Sequence, residues 1–375
     1  MAHYGLEKLS ELSMCDIFIF AGELSADLHG SKLLSQLYAK NPDLKIAGVL
    51  GPEMRKFPAK CVLPMETFAV MGFVDVAKQL PHLIREFRRV RDMILQMNPE
   101  VVVTIDYADF SLRLAKSLRK KGYRGKICHY ISPSVWAWRK GRVKTMAKNL
   151  DLLLTILPFE KKYFSSTSLR VEYVGHPLVS QIKPRTSFTP HLIALFPGSR
   201  AHEVKRNLPL QLAAFRLLQK EMQGLTCIIS VAHEGLRPLI DSLAPGIPTT
   251  TDRHQLMQTA QVAIAKSGTV TLELALYDTP TVVTYAVSRF DAFLVKYILR
   301  ILLPHYCLVN IIGGKTIFPE LFGPALQVPV LASEVKKILI DPSTCLAGCK
   351  EVRNILGRQD ASDRSAQLLL SLLSK

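Results

Sequence analysis

Residues 101–131 admit few folds. Val101 to Ile105 (VVVTI) is a short apolar, β-branched run, Ile127 to Ile131 (ICHYI) is a second, and between them Leu112, Leu114, Ala115 and Leu118 recur at helical spacing. Strand, helix and strand in such close succession form a βαβ unit, whose two strands run parallel with a right-handed crossover. Parallel strands present their ligand groups at the carboxyl ends, so Asp106, Asp109, Ser132, Ser134, Trp136, Trp138 and Arg139 are expected on one rim. Asp106 directly follows the first strand and suits a helix cap or a hydrogen-bond anchor. Asp109, at the opening of the helix, suits a general base facing a cleft, and a nearby Asp106 is expected to raise its affinity for a proton.

The chain has 375 residues, enough for two domains, and 48% hydrophobic with 21% charged residues describes a folded protein. Its formal charge of +17 calls for an anionic partner: nucleic acid, anionic lipid or a phosphorylated substrate. The excess is concentrated, with twelve Lys or Arg against two Asp in residues 101–150. Arg119, Lys120, Lys121, Arg124 and Lys126 read either as a solvated helix end favoured by the helix dipole or as a membrane-surface patch. The seven cysteines form no CxxC pair, and Cys128 and Cys227 lie in apolar strands, as core residues of a reducing compartment do. The opening MAHYGLEKLSELSMCD does not read as a signal peptide, and no apolar run reaches the roughly 18–20 residues of a spanning helix.

Ile17 to Ala21 (IFIFA) is a strand followed by GELSADLHG and a helix burying Leu33, Leu34 and Leu37, a first βα crossover without the GxGxxG spacing of a dinucleotide site. Ser25 or Asp27 is expected to cap that helix, while Glu23 and His29 look into the same crevice as Asp109. Short strands are expected at 45–50 and 61–63. The apolar segment containing Val70, Met71, Phe73 and Val74 reads as a loop, either packed in the core or forming a lip for acyl chains or a bilayer. A helix near 79–97 then buries Leu80, Leu83, Ile84, Phe87, Val90, Ile94 and Met97 and presents Arg85, Arg88, Arg89 and Arg91.

Pro177, Pro184 and Pro190 punctuate a connector before a fresh strand, Leu192 to Phe196, so domains are expected at 1–180 and 181–350, with 351–375 as a helix that returns to the first lobe. The second lobe again alternates strands and helices. The fold class is therefore α/β, two Rossmann-like parallel-sheet lobes with a cleft between them. Its turns PGSR (197–200) and SGT (267–269) precede helices. Ser267, Gly268 and Thr269 can cradle a diphosphate, Arg200 offers a phosphate fork, and Glu273 suits ribose hydroxyls; a simple cap with a stabilising Glu is the alternative.

Taken in order, AGELSADLHG, VMGFVDV, TIDYADF, HYISPSVWAWR, LPFEKKYF, VGHPL, FPGSR, SGTVTLELAL and VNIIGGKTIFPEL resemble the signature stretches of the lipid-A-disaccharide synthase family, inverting glycosyltransferases of GT-B type. ELSAD stands where the family more usually shows EASGD, and IDYAD where it often shows IDAPD. The resemblance implies transfer of 2,3-diacylglucosamine from UDP-2,3-diacylglucosamine to the 6-hydroxyl of 2,3-diacylglucosamine 1-phosphate. It implies Asp109 as base and a UDP site at Gly198, Ser199, Arg200, Glu203, Ser267, Gly268, Thr269 and Glu273. Glu23, Ser25, Asp27, His29, Asp106, Ser132, Ser134, Trp138 and Arg139 would line the acceptor side, and Val70, Met71, Phe73 and Val74 would meet membrane or acyl chains. No cofactor is expected, and the lack of a DxD sequence agrees with a metal-independent reaction. A cytoplasmic protein held at the anionic inner leaflet, a homodimer as a candidate assembly, and no nucleic-acid partner complete the expectation. The rivals are a UDP-sugar epimerase and a non-catalytic nucleotide-sugar or lipid-binding protein on the same scaffold. Phe290 to Leu303 is read as a buried helix or a lipid-facing wall.

Overall fold

The computed structural model describes residues 14–68, 73–137, 139, 141–286 and 303–373, with 73–80 described as backbone only. Val70, Met71 and Trp138, and residues 290–302, therefore lie outside the described residues. The chain divides into two compact units, Met1–Pro177 with Gln359–Lys375, and Leu178–Arg358.

Unit 1 is built on seven parallel strands, β1 (Ile17–Ala21), β2 (Ile46–Leu50), β3 (Lys60–Pro64), β4 (Val101–Ile105), β5 (Lys126–Tyr130), β6 (Leu152–Thr155) and β7 (Arg170–Tyr173), in the order β3-β2-β1-β4-β5-β6-β7. Strand order reverses between β1 and β4, which places the switch point beside Gly22 and Asp106. β1 is apolar at every position and β4 at all but Thr104, because both faces are covered, yet the side chains still alternate. Phe18, Phe20 and Val102 join one core with Val90, Ile94 and Leu114, whereas Ile17, Ile19, Val101 and Val103 join another with Leu33, Leu34 and Leu37.

Four helices of this unit matter below: α1 (Leu24–Lys40), α2 (Phe73–Met97), α3 (Ala108–Lys120) and α4 (Arg142–Asn149). The segment read as an apolar loop is, from Phe73 onward, the first turns of α2, so Phe73 and Val74 are helical. Pro81 sits inside the helix, where it removes only one ladder donor. Ile84, expected inside, stands 44% exposed beside the exposed Arg85 and Arg88, while Glu86 is buried and paired with Arg85 and Arg89. Of the basic run at the end of α3, Arg119 is structural: it donates to the carbonyls of Asn149, Tyr123 and Gly125 and pairs with Asp151. Lys120, Lys121, Arg124 and Lys126 are exposed.

Unit 2 carries six parallel strands, β8 (Thr189–Phe196), β9 (Thr226–Ser230), β10 (Thr249–Thr250), β11 (Ala260–Lys266), β12 (Thr281–Tyr285) and β13 (Glu320–Phe322), in the order β10-β9-β8-β11-β12-β13. Its switch point lies between β8 and β11, where helices α5 (Ala201–Glu221) and α6 (Thr269–Leu276) begin. The last helix, α7 (Ala361–Leu370), belongs to unit 1, where Ala361, Ala366, Leu368 and Leu369 complete the core beneath α1. Gly175 lets the returning chain in: at φ +97°, any Cβ there would stand 2.4 Å from the Gln359 carbonyl oxygen.

Candidate functional site

In unit 1 two rim loops meet at the switch point. Asp106 and Tyr107 leave β4 in left-handed conformations, φ +49° and +48°, which cost strain for residues with a Cβ and persist only where neighbours enforce them. The Asp106 N–H donates to the Tyr130 carbonyl (2.9 Å), Ser111 Oγ donates to the Asp106 carbonyl (2.8 Å), and Tyr107 and Phe110 stack in line with Phe20. Gly22 leaves room for this arrangement, since a Cβ there would meet the Tyr107 ring at 2.8 Å.

The Asp106 carboxyl so fixed lies against Glu23, which ends the turn after β1 and receives a hydrogen bond from Ser25 Oγ (3.0 Å). Burial, then the charge and hydrogen bond of Glu23, push Asp106 up to about 6, with the Tyr107 N–H opposing. The carboxylate proximity expected for Asp109 is thus realised between Asp106 and Glu23. Asp109 instead is exposed on the first turn of α3, where Arg139 Nη1 reaches both of its oxygens (2.9 and 3.2 Å) and Arg142 Nη2 one of them (2.6 Å). Arg142 was not anticipated; nothing local marks it, because its partner lies 33 residues earlier.

Two expectations about α1 are corrected. It has no side-chain cap: Ser25 donates sideways to Glu23, and Glu23 holds the cap position. Asp27 is buried and accepts the Glu53 and Met54 N–H groups (2.8 and 3.0 Å), so it anchors the turn after β2 and does not face the acceptor side. Gly51 is what admits it, since a Cβ there would stand 2.3 Å from Asp27 Cγ. Ser132 is buried and donates to the Pro133 carbonyl (3.2 Å), whereas Ser134 is exposed. His29 packs edge-on against Tyr130 and stays neutral, lowered to about 4 by burial and by Lys32.

Unit 2 holds a cavity of about 300 Å³ at its own switch point, lined by both anticipated turns. Gly198, Ser199, Glu203, Ser267, Gly268 and Thr269 all contribute, joined by Lys266 and Arg253, which sequence reading missed. Gly198 has φ +128°, and a Cβ there would lie 2.6 Å from that of Glu203. Glu203 turns back on its own helix end: its oxygens accept the Ser199 N–H (3.0 Å), Lys266 Nζ (3.0 Å) and Arg200 Nη1 (3.4 Å). Burial alone would raise its carboxyl, but Lys266, the Ser199 N–H and Arg200 hold it below the usual range. Lys266 also lies 5.1 Å from the centre of the Tyr285 ring.

The N-terminal turn of α6 opens onto this cavity without a side-chain cap, the arrangement that receives anions. Ser267 has its N–H on the Thr284 carbonyl and its hydroxyl on the Tyr306 carbonyl, so it shapes the turn. Glu273 is buried behind Arg253 (3.2 Å), with Oε2 lacking a hydrogen-bond partner; burial raises its carboxyl, and Arg253 and His254 oppose.

A family profile described as "Lipid-A-disaccharide synthetase" matches residues 17–367. The chain is 42% identical to a lipid-A-disaccharide synthase of Chlamydia felis over 85% of its own length and 54% of that protein. A lipid-A-disaccharide synthase of Trichlorobacter lovleyi is 34% identical over 96% of this chain and 98% of its own. The chain thus spans about half the length of the chlamydial relatives it matches and nearly all of the second. Among solved structures it is similar to the UDP-GlcNAc 2-epimerase of Neisseria meningitidis bound to UDP-GlcNAc (TM-score 0.62, 11% identity, 95% and 99% covered). The glycotransferase of kitacinnamycin is alike to the same degree (TM-score 0.62, 12% identity, 96% and 100% covered). At such identities these two establish the two-lobed α/β fold that GT-B transferases share with epimerases.

Proposed function

Since the chain belongs to the lipid-A-disaccharide synthetase family, we propose that it transfers a diacylglucosamine unit from its UDP-linked donor to the 6-hydroxyl of 2,3-diacylglucosamine 1-phosphate, releasing UDP. The observation that carries this reading is the half-buried Asp106 carboxyl held against Glu23 at the unit 1 switch point. An inverting displacement needs a base on the acceptor hydroxyl, and a carboxyl poised near 6 is ionised at neutral pH while remaining a better proton acceptor than an exposed one. Burial sets that poise, and Glu23, which shares the site, adds to it. Asp109 has both oxygens engaged by guanidinium groups, so we assign the base to Asp106 and give Asp109 an orienting part.

On the donor side, the N-terminal turn of α6, the Ser199 turn and Lys266 line the cavity and supply the positive charge that a departing diphosphate requires, which supports metal-independent transfer, while Arg200 stands exposed beside them on Glu203. Glu203 serves there by holding Lys266 and the Ser199 N–H in place. Ribose hydroxyls suit Glu273 once Arg253 turns aside. For membrane contact the reading draws on the exposed Ile84 among Arg85, Arg88 and Arg89, an apolar-basic surface suited to an anionic inner leaflet. Among the described residues no helix is long and apolar enough to cross a membrane.

The test is UDP release from UDP-2,3-diacylglucosamine in neutral detergent micelles containing a chelator, with and without the 1-phosphate acceptor. Acceptor-dependent release is expected. Release that needs no acceptor would favour a hydrolase, epimerisation of a UDP-sugar lacking acyl chains with no acceptor added would favour the epimerase, and UDP binding without release would favour a binding protein.

A further inference from the structure

At the β13 edge of the unit 2 sheet one carboxylate gathers three N–H donors. Glu320, the first residue of β13, has a side chain only 15% exposed. Its Oε2 accepts the Tyr306 N–H (2.8 Å) and the Cys307 N–H (3.1 Å), and its Oε1 accepts Asn310 Nδ2 (2.5 Å), with His305 Nδ1 3.4 Å away. Asn310 is fully buried and cannot turn its amide to suit another partner, because its Oδ1 accepts the Ile317 and Phe318 N–H groups (2.8 and 2.9 Å). A carboxylate is the side chain that satisfies all three donors at once, and charge-assisted bonds of this kind are roughly twice as strong as neutral ones.

The turn held in this way reaches the cavity of unit 2 by two routes. The Tyr306 carbonyl accepts the Ser267 hydroxyl (3.0 Å). The Tyr306 ring stacks on Phe322 (centroids 4.6 Å apart), Phe322 stacks on its register partner Tyr285 (5.3 Å), and Lys266 Nζ stands 5.1 Å from the centre of the Tyr285 ring. Lys266 and Ser267 line the cavity, whereas Glu320, Tyr306, Phe322 and Tyr285 do not. Ser267 opens the turn that leads into α6, so its seating decides where the N–H groups of that turn point. Both neighbouring cavity residues are thus braced from the same edge of the sheet.

We propose that Glu320 is a positioning residue for the diphosphate of the donor: by clamping residues 305–307 to β13 it sets Ser267 through the Tyr306 carbonyl and Lys266 through the stacked rings. The inference rests on the UDP-donor reading above and adds to it a residue outside the cavity on which the anion site depends. Glu320→Gln preserves shape and volume but turns an amide NH₂ against either the two backbone N–H groups or Asn310 Nδ2, whose orientation is fixed. One donor then goes unpaired, and the 305–307 turn loosens.

The experiment is NMR titration of UDP and of uridine into the unchanged protein, Glu320→Gln, Phe322→Leu, Ser267→Ala and the double variant of Glu320→Gln with Ser267→Ala. Glu320→Gln is expected to weaken UDP roughly 10-fold and to leave uridine, which has no phosphate to meet the turn, within about 2-fold. The double variant should lose less UDP affinity than the product of the two single losses, because one route runs through that hydroxyl. Phe322→Leu keeps the carboxylate and removes the ring between Tyr306 and Tyr285, so it carries the test should Glu320→Gln fail to fold; UDP should weaken roughly 2- to 5-fold with uridine unchanged. Uridine weakened as much as UDP, losses that multiply in the double variant, or unchanged UDP affinity in whichever of the two variants folds would each overturn the proposal. An unchanged protein that does not bind UDP overturns it together with the donor site. One that binds UDP but shows no acceptor-dependent release refutes only the transferase reading.

Discussion

Asp106 and Asp109 are separated by a single helical turn's entry and have opposite surroundings. Asp106 is half-buried and shares its site with Glu23, while Asp109 faces solvent under two guanidinium groups. Asp106→Asn should therefore lower kcat by roughly 10²- to 10⁴-fold with UDP affinity unchanged, whereas Asp109→Asn should keep most of its kcat. The reverse pattern, read by steady-state kinetics with calorimetric UDP titration, would return the base role to Asp109. Because the base acts ionised, kcat should rise as pH climbs through about 6 and level off above it. A flat profile between pH 5 and 8 would remove Asp106 from that role. Neither asymmetry can be read from IDYAD alone, since it depends on which chains fold over each carboxylate.

Among the elements, the short helix Pro158–Phe164 holds an unusual group. Glu160 is buried with one oxygen accepting the Leu157 N–H (3.2 Å), and burial pushes its carboxyl from 4.5 up to about 8. The folded chain then holds this proton more tightly than the unfolded chain. Stability attributable to Glu160 is accordingly intact below about 4.5 and declines as pH rises toward about 8. Glu160→Gln keeps the shape and removes the titration, so its melting temperature should match the unchanged protein near pH 5 and exceed it by several degrees near pH 9. Parallel melting curves at all pH values would show that Glu160 ionises without cost. In α2 the lesson runs the other way: its helical period was legible only from about residue 79, because the clustered apolar residues before it, Val70 to Val74, show no helical spacing.

For the whole molecule, the carboxyl-terminal helix is the element that ties sequence ends together. Leu369 is fully buried in the core beneath α1, with Leu33 and Leu34. Leu369→Ala should destabilise unit 1 by about 2–5 kcal/mol. Hydrogen exchange should then quicken in β1 and β4 while β8 and β11 keep their protection; equal change in both units would mean that the two unfold as one. The alternation of strands and helices, the two parallel sheets and the turns that close each switch point were legible from sequence, because apolar periodicity and turn chemistry are local signals set by neighbours a few residues apart. The signature stretches likewise carried the family. What only the tertiary structure decided is which polar groups meet. Arg142 reaches Asp109, Lys266 reaches Glu203, Asp27 turns inward to the chain after β2, and Glu23 lies against Asp106. Each of these pairs is closed by a crossover, so its distance and burial follow from how strands order in a sheet, which no local pattern of residues encodes.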